Sequence, residues 1–66
     1  MNDATSAHRE LLSPEEMAEM LGCGRTYAYQ LLSRREIPSF KLGKLRKVRR
    51  RDVERFIEER ATASAR

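Results

Sequence analysis

A single cysteine stands in the 66-residue chain. Neither an intramolecular disulfide nor a cysteine-ligated zinc site can hold such a molecule, so its fold must rest on packing, as in a reducing compartment. Long apolar runs are missing as well. None approaches the roughly 20 residues that cross a bilayer, and the opening MNDATSAHRE has neither the basic start nor the hydrophobic stretch of a signal peptide. The expectation is a soluble, cytoplasmic protein with no membrane partner. Length is scarce too. A chain of this size buries only about 60% of the surface its unfolded form exposes, which leaves room for one core and no enclosed catalytic cavity. No nucleophile stands beside a base: Cys23 has no second cysteine or histidine near it and reads as a small hydrophobe, and His8 lies in a polar, aperiodic stretch. Glu15-Glu16 and Glu58-Glu59 are helix neighbours that point in different directions, so they form no acid–base pair. The expectation is a protein that is not an enzyme and takes no cofactor, metal or small-molecule ligand.

Acidic residues are absent where basic ones concentrate. The chain carries 14 Lys and Arg against 10 Asp and Glu, a formal charge of +4, and a sequence pI of about 9.8. Between residues 25 and 51, however, Glu36 is the one acid among ten basic residues: Arg25, Arg34, Arg35, Lys41, Lys44, Arg46, Lys47, Arg49, Arg50 and Arg51. A middle so one-signed points to a polyanionic partner.

The apolar periodicity supplies the framework. Ser13-Pro14-Glu15-Glu16 fits a helix start, with Ser13 as N-cap, Pro14 at the first helical position and Glu16 closing a capping box. Leu12 and Met17 are placed as the accompanying hydrophobic staple. Met17, Met20 and Leu21 then recur at i, i+3 and i+4, and Gly22 stands where a left-handed terminating residue is wanted, so a helix is expected over 14–21. Ala28, Leu31 and Leu32 repeat the spacing and predict a second helix over 25–35. Three residues between them force a sharp crossing, the helix-turn-helix arrangement, with Gly22 and Gly24 making the turn and Cys23 filling the gap beneath it.

Ile37-Pro38 ends the helical pattern. Phe40 and Leu42 alternate with Ser39 and Lys41, Gly43-Lys44 can turn, and 45–48 can return as the second strand of a hairpin. Val53, Phe56, Ile57 and Ala61 keep helical spacing after Asp52, which predicts a third helix over 51–61. The order helix, turn, helix, hairpin, helix is a winged helix-turn-helix, mainly α with a small β-hairpin. It is expected over 11–61, between a disordered arm at 1–10 and a flexible tail at 62–66. Because an isolated hairpin is marginal in water, the wing is expected to lean on the helices through Phe40, Leu42 and Val48.

With Ala28, Leu31 and Leu32 turned inward, a step of 100° per residue aims Thr26, Gln30 and Ser33 outward, flanked by Tyr27, Tyr29 and Arg34. Hydroxyl, amide and guanidinium groups hydrogen-bond base edges and phosphates. Arg25, Thr26, Tyr27 and Gln30 are therefore candidates for reading a major groove of double-stranded DNA, and Tyr29, Ser33 and Arg34 for holding its phosphates. The run KLGKLRKVRRR has seven basic residues and no acid. Its hairpin tip can lie along phosphates or enter a minor groove, with Lys41, Lys44, Arg46, Lys47 and Arg49 as contacts.

From Leu11 to Glu59 the chain resembles the small excisionase-type DNA-binding domains related to the MerR helix-turn-helix group. The resemblance is carried by LLSPEEMAEMLGCGRTYAYQLL, IPSFKLG and VRRRDVERFIEE, which are similar to that family's opening helix, turn, Arg-initiated recognition helix, proline-led wing and closing helix. Three positions depart from the pattern. Gly24 replaces a usual serine-like cap, Tyr27 is larger than the usual small hydroxyl residue, and Leu45 and Arg46 stand exchanged relative to the usual order. The last implies either a bulge in the wing or a different packing for Leu45. The resemblance implies an architectural factor that binds DNA in several copies, associates cooperatively with itself, bends the site and directs a partner integrase, a tyrosine or serine recombinase, toward excision. A compact MerR-like transcription regulator and a protein-interaction module such as an antitoxin are the alternatives.

Overall fold

The computed structural model describes residues 9–64. In chain order these form β1 (Leu11–Leu12), α1 (Pro14–Leu21), α2 (Arg25–Ser33), β2 (Phe40–Leu42), β3 (Leu45–Arg49) and α3 (Arg50–Ser64). Residues 1–8 and 65–66, and with them most of the expected arm and the end of the expected tail, lie outside the described residues. The first helix begins and ends where the sequence reading places it. Its capping box is closed in both directions: the Glu16 N–H donates to Ser13 Oγ at 3.1 Å, and the Ser13 N–H donates to Glu16 Oε1 at 2.9 Å. Leu12 and Met17, the expected staple pair, are both buried in the core.

Gly22 ends α1 at φ +72°. Its N–H donates to the Glu19 carbonyl at 3.1 Å, and the Cys23 N–H reaches back to Ala18 at 3.0 Å, the paired bonds of a Schellman turn. The two glycines of the corner prove to have different tasks. Gly24 is the N-cap of α2 in an extended conformation that any residue adopts, and no side-chain bond caps the helix there. Cys23 packs partly buried against the core, as its place between the glycines suggests.

The second helix stops two residues earlier than its apolar pattern predicts. Arg35 enters the left-handed region at φ 61°, the Arg35 N–H donates to Leu32 at 3.0 Å, and the Glu36 N–H donates to Leu31 at 2.9 Å. This is a second Schellman turn with an arginine where glycine is usual. It swings Ile37 inward, so the residue read as a helix stop is fully buried. The third helix starts one residue earlier than expected and runs three residues further, to Ser64.

The sheet differs most from the expected hairpin. It has three antiparallel strands in the order β1-β3-β2. β1 pairs Leu11 with Arg49 and Leu12 with Val48, and the Arg50 N–H adds a bond to the Glu10 carbonyl at 2.7 Å. β2 pairs Phe40 with Lys47, Lys41 with Arg46 and Leu42 with Leu45. That register is regular, so the exchanged Leu45 and Arg46 produce no bulge, and Gly43 closes the two-residue turn at φ +66°. The leaning of the wing also needs correction. Val48 is buried, but all three residues of β2 are exposed, so Phe40 and Leu42 are not what anchors it. The support comes from β1 on the other edge of β3, a two-residue strand too short to show a periodicity of its own.

One core joins these parts: Leu12, Met17, Ala18, Ala28, Leu31, Leu32, Ile37, Val48 and Val53, with Met20, Leu21, Cys23 and Phe56 packed around it. Two polar joints close the outside. The Arg49 guanidinium forks onto the Asp52 carboxylate, with Nε donating to Oδ2 at 2.7 Å and Nη2 to Oδ1 at 3.2 Å, where β3 runs into α3. Arg60 Nη2 donates to Glu36 Oε1 at 2.7 Å while the same guanidinium covers the Phe56 ring at 4.7 Å, which ties α3 to the segment leaving α2.

Substitutions check this account by their effect on stability. Leu31→Ala should cost at least about 2 kcal/mol through a core cavity, read as a lowered denaturation midpoint at unchanged m-value. Gly22→Ala should cost about 1 kcal/mol for its left-handed backbone, although the added Cβ meets no atom within 4 Å. Gly24→Ser, equally free of clashes, should stabilise by a few tenths of a kcal/mol by supplying the missing cap. Equal effects at the two glycines would contradict the division of labour at the corner. Asp52→Ala should lower the midpoint more than Glu54→Ala, since Asp52 is the buried partner of its fork and Glu54 an exposed partner of Arg50.

Candidate nucleic-acid interface

Because α2 buries only Ala28, Leu31 and Leu32, the rest of its surface is free. Arg25, Thr26, Tyr27, Tyr29, Gln30, Ser33 and Arg34 are all exposed. The sharp corner at Gly22 sets this face outward while α1 covers the opposite side. Tyr27 and Tyr29 remain 44% and 45% exposed, large for aromatic side chains on a small domain.

Two of the expected phosphate contacts are already engaged within the fold. The Tyr29 hydroxyl donates to Glu15 Oε2 at 3.0 Å and links the start of α1 to the middle of α2. That bond, followed by desolvation and the charge of Glu15, holds the phenol above its ordinary pKa, with Arg25 acting in the opposite sense. Arg34 Nη1 lies 4.0 Å from Glu36 Oε2, a loose exposed pair of little strength.

The wing presents two unlike faces. Cross-strand partners share a side of a sheet, so Lys41 and Arg46 lie on the side of Leu12 and Val48, beyond the edge of the core. Arg46 bends toward the helices, its Nη1 donating to Ser39 Oγ at 2.8 Å. A groove opens there between α2 and the wing. Arg35 and Arg46 border it with Tyr29, Ser33 and Ser39, over a floor of Leu32, Ile37 and Pro38, and no acidic side chain lines it. A groove lined by two arginines and two serines, with no acid among its lining residues, is suited to phosphate oxygens.

The opposite face of the wing carries Phe40, Leu42, Leu45 and Lys47, and Lys44 sits in the turn between the two leucines. Arg49 falls at the far end of β3. Its fork with Asp52, first through the hydrogen bonds and then through the charge, raises its pKa further above the ordinary arginine range. The structure thus gives Arg49 a joining role that its place in a basic run does not reveal. Arg35 and Ser39 are the groove residues that sequence reasoning passed over. Arg35 reads in the sequence as one of the middle's basic residues at the end of a helix and Ser39 as an alternating strand residue, and the missing signal is the turn that places both along the groove lined by Arg46. Among the described residues no cluster of His, Cys, Asp and Glu could hold a metal ion, and no helix is long and apolar enough to cross a membrane.

Comparison with known proteins agrees with this arrangement. Residues 11–61 match a family model described as a helix-turn-helix domain. A probable excisionase from Saccharopolyspora erythraea is 41% identical over 49 residues, 74% of this chain and 50% of the relative, so the chain spans half the length of that protein. No solved structure matches. The match from β1 through most of α3, over the very elements that build the corner, α2 and the wing, shows that the chain belongs to the helix-turn-helix domain family.

Proposed function

We propose that this protein binds double-stranded DNA sequence-specifically, through α2 in a major groove and the wing on the neighbouring backbone and minor groove. The observation that carries the reading is the pairing of an outward polar and aromatic helix face with an acid-free groove bordered by Arg35 and Arg46. Base edges are the match for Arg25, Thr26, Tyr27 and Gln30, and phosphates for Ser33, Arg34, Arg35 and Arg46. Lys41, Lys44 and Lys47 add sequence-independent attraction through counterion release.

The finer reading is an excisionase-like architectural factor that directs an integrase toward excision, supported by the name of the Saccharopolyspora relative. A single module of this kind buries only about 600–1,000 Å² on DNA. Useful affinity therefore calls for cooperative neighbouring copies or for the integrase itself as a bridge. In an excision assay, removing the protein should abolish excision of its resident element while leaving integration intact. Unchanged excision together with altered promoter output would move the function to transcription control.

Four substitutions test the interface by gel shift across a salt series. Arg25→Ala and Gln30→Ala should each weaken the preferred site by about 1–3 kcal/mol while sparing random DNA. Lys44→Ala should weaken both alike and reduce the salt slope by about 1. Arg35→Gly separates fold from function. Relief of the left-handed strain, about 1–2 kcal/mol, exceeds the added unfolded-state freedom of glycine, about 0.4–1 kcal/mol. The variant should therefore fold more stably and yet bind DNA less tightly, with a shallower salt slope. Full affinity in this variant would remove Arg35 from the interface.

A further inference from the structure

The wing is basic in composition, yet the residues flanking its turn are apolar. Leu42 and Leu45 are direct cross-strand partners on either side of Gly43-Lys44, and they are 52% and 61% exposed. Phe40, on the same face two residues back, is 38% exposed. Among the described residues none of the three belongs to the core or packs against it. A hairpin that only touched phosphates would gain nothing from two leucines at its tip. Lys44 in the turn and Lys47 flank the pair on its own side of the hairpin, Lys41 and Arg46 lie on the reverse side, and the hairpin from 40 to 47 contains no acid.

An acid-free hairpin with cations on both faces selects the occupant. A second wing docking symmetrically would bring two sets of four cations together, and an apolar protein groove would leave them unmatched. A DNA minor groove answers both features at once, because its rims are phosphates and its walls are the apolar faces of deoxyribose. Resting on the DNA-binding reading above, we propose that Leu42 and Leu45 form an apolar wedge that the cationic hairpin drives into the minor groove, where it pries a base step apart and kinks the duplex. The lysines and Arg46 hold the rims, and the leucines supply the deformation. Flexible pyrimidine–purine steps are then favoured at a position that no side chain reads by hydrogen bonding.

The test uses the full chain and a short duplex containing the site recovered by gel shift, with fluorescent dyes at its two ends so that bending shortens their separation. Leu42→Thr combined with Leu45→Thr keeps strand preference while removing the apolar tip, and circular dichroism and thermal melting verify that it folds. At saturating protein the wild type should bend the duplex. The double variant should keep the same salt slope but lose roughly half of the bend or more, and Leu45→Met in the wild-type background should retain it. A double variant that bends DNA as the wild type does, or a wild type that binds without bending, overturns the wedge while leaving DNA binding intact. A double variant that bends normally as a single copy but loses cooperativity on longer DNA overturns it in favour of a contact between copies. Absence of any gel shift by the wild type overturns the DNA-binding reading, and the wedge with it.

Discussion

The left-handed corner at Gly22 is the constraint on which the rest of the molecule depends. Three residues separate α1 from α2, too few for the second helix to fold back alongside the first, and the paired bonds to Ala18 and Glu19 leave the chain one way to turn. Ala28, Leu31 and Leu32 are thereby pressed onto Met17 and Ala18 within one core. Every other residue of α2 is exposed, and that leftover surface is the one proposed to meet DNA. Function here follows from how little of α2 the core requires.

A second dependence runs through β3. Val48 in its middle is fully buried, β1 binds one of its edges and β2 the other, and α3 begins where it ends. The strand resolves a physical difficulty of small winged folds, namely that two strands alone seldom hold together in water. A third strand of two residues anchors the rigid end of β3. The far end is thus free to project Lys44 and its neighbours without helix support. Arg49 and Asp52 lock the change of direction from strand to helix, so the basic run divides into a structural part near α3 and a free part near the turn.

Strain lies beside the proposed binding surface. Arg35 occupies a left-handed position that glycine would take at lower cost. Its guanidinium borders the groove that receives Arg46 and Ser39. Backbone strain of this kind persists where the surroundings over-determine it and commonly accompanies a function. The exposed leucines of the wing belong to the same pattern of local preference set aside at a surface meant for contact.

Local chemistry by itself determined the helices, the capping box at Ser13, the terminating glycine, the inward trio of α2 and the outward polar face, because each depends on neighbours within one or two turns. It also concentrated the positive charge in one stretch of the chain, since the charge run is contiguous. Only the tertiary structure decided that Leu11 and Leu12 form a strand, that Ile37 is core, that Arg49 serves Asp52, that Ser39 bonds to Arg46 and that Arg35 lines the same groove. These are pairings between segments, several of them distant in the chain, made by stretches too short to show a period. Gly24 and Leu45 mark the same boundary: the spacing suggested a turn glycine and the resemblance either a bulge or a different packing for Leu45, whereas backbone geometry made one an ordinary N-cap and left the other exposed in a regular register.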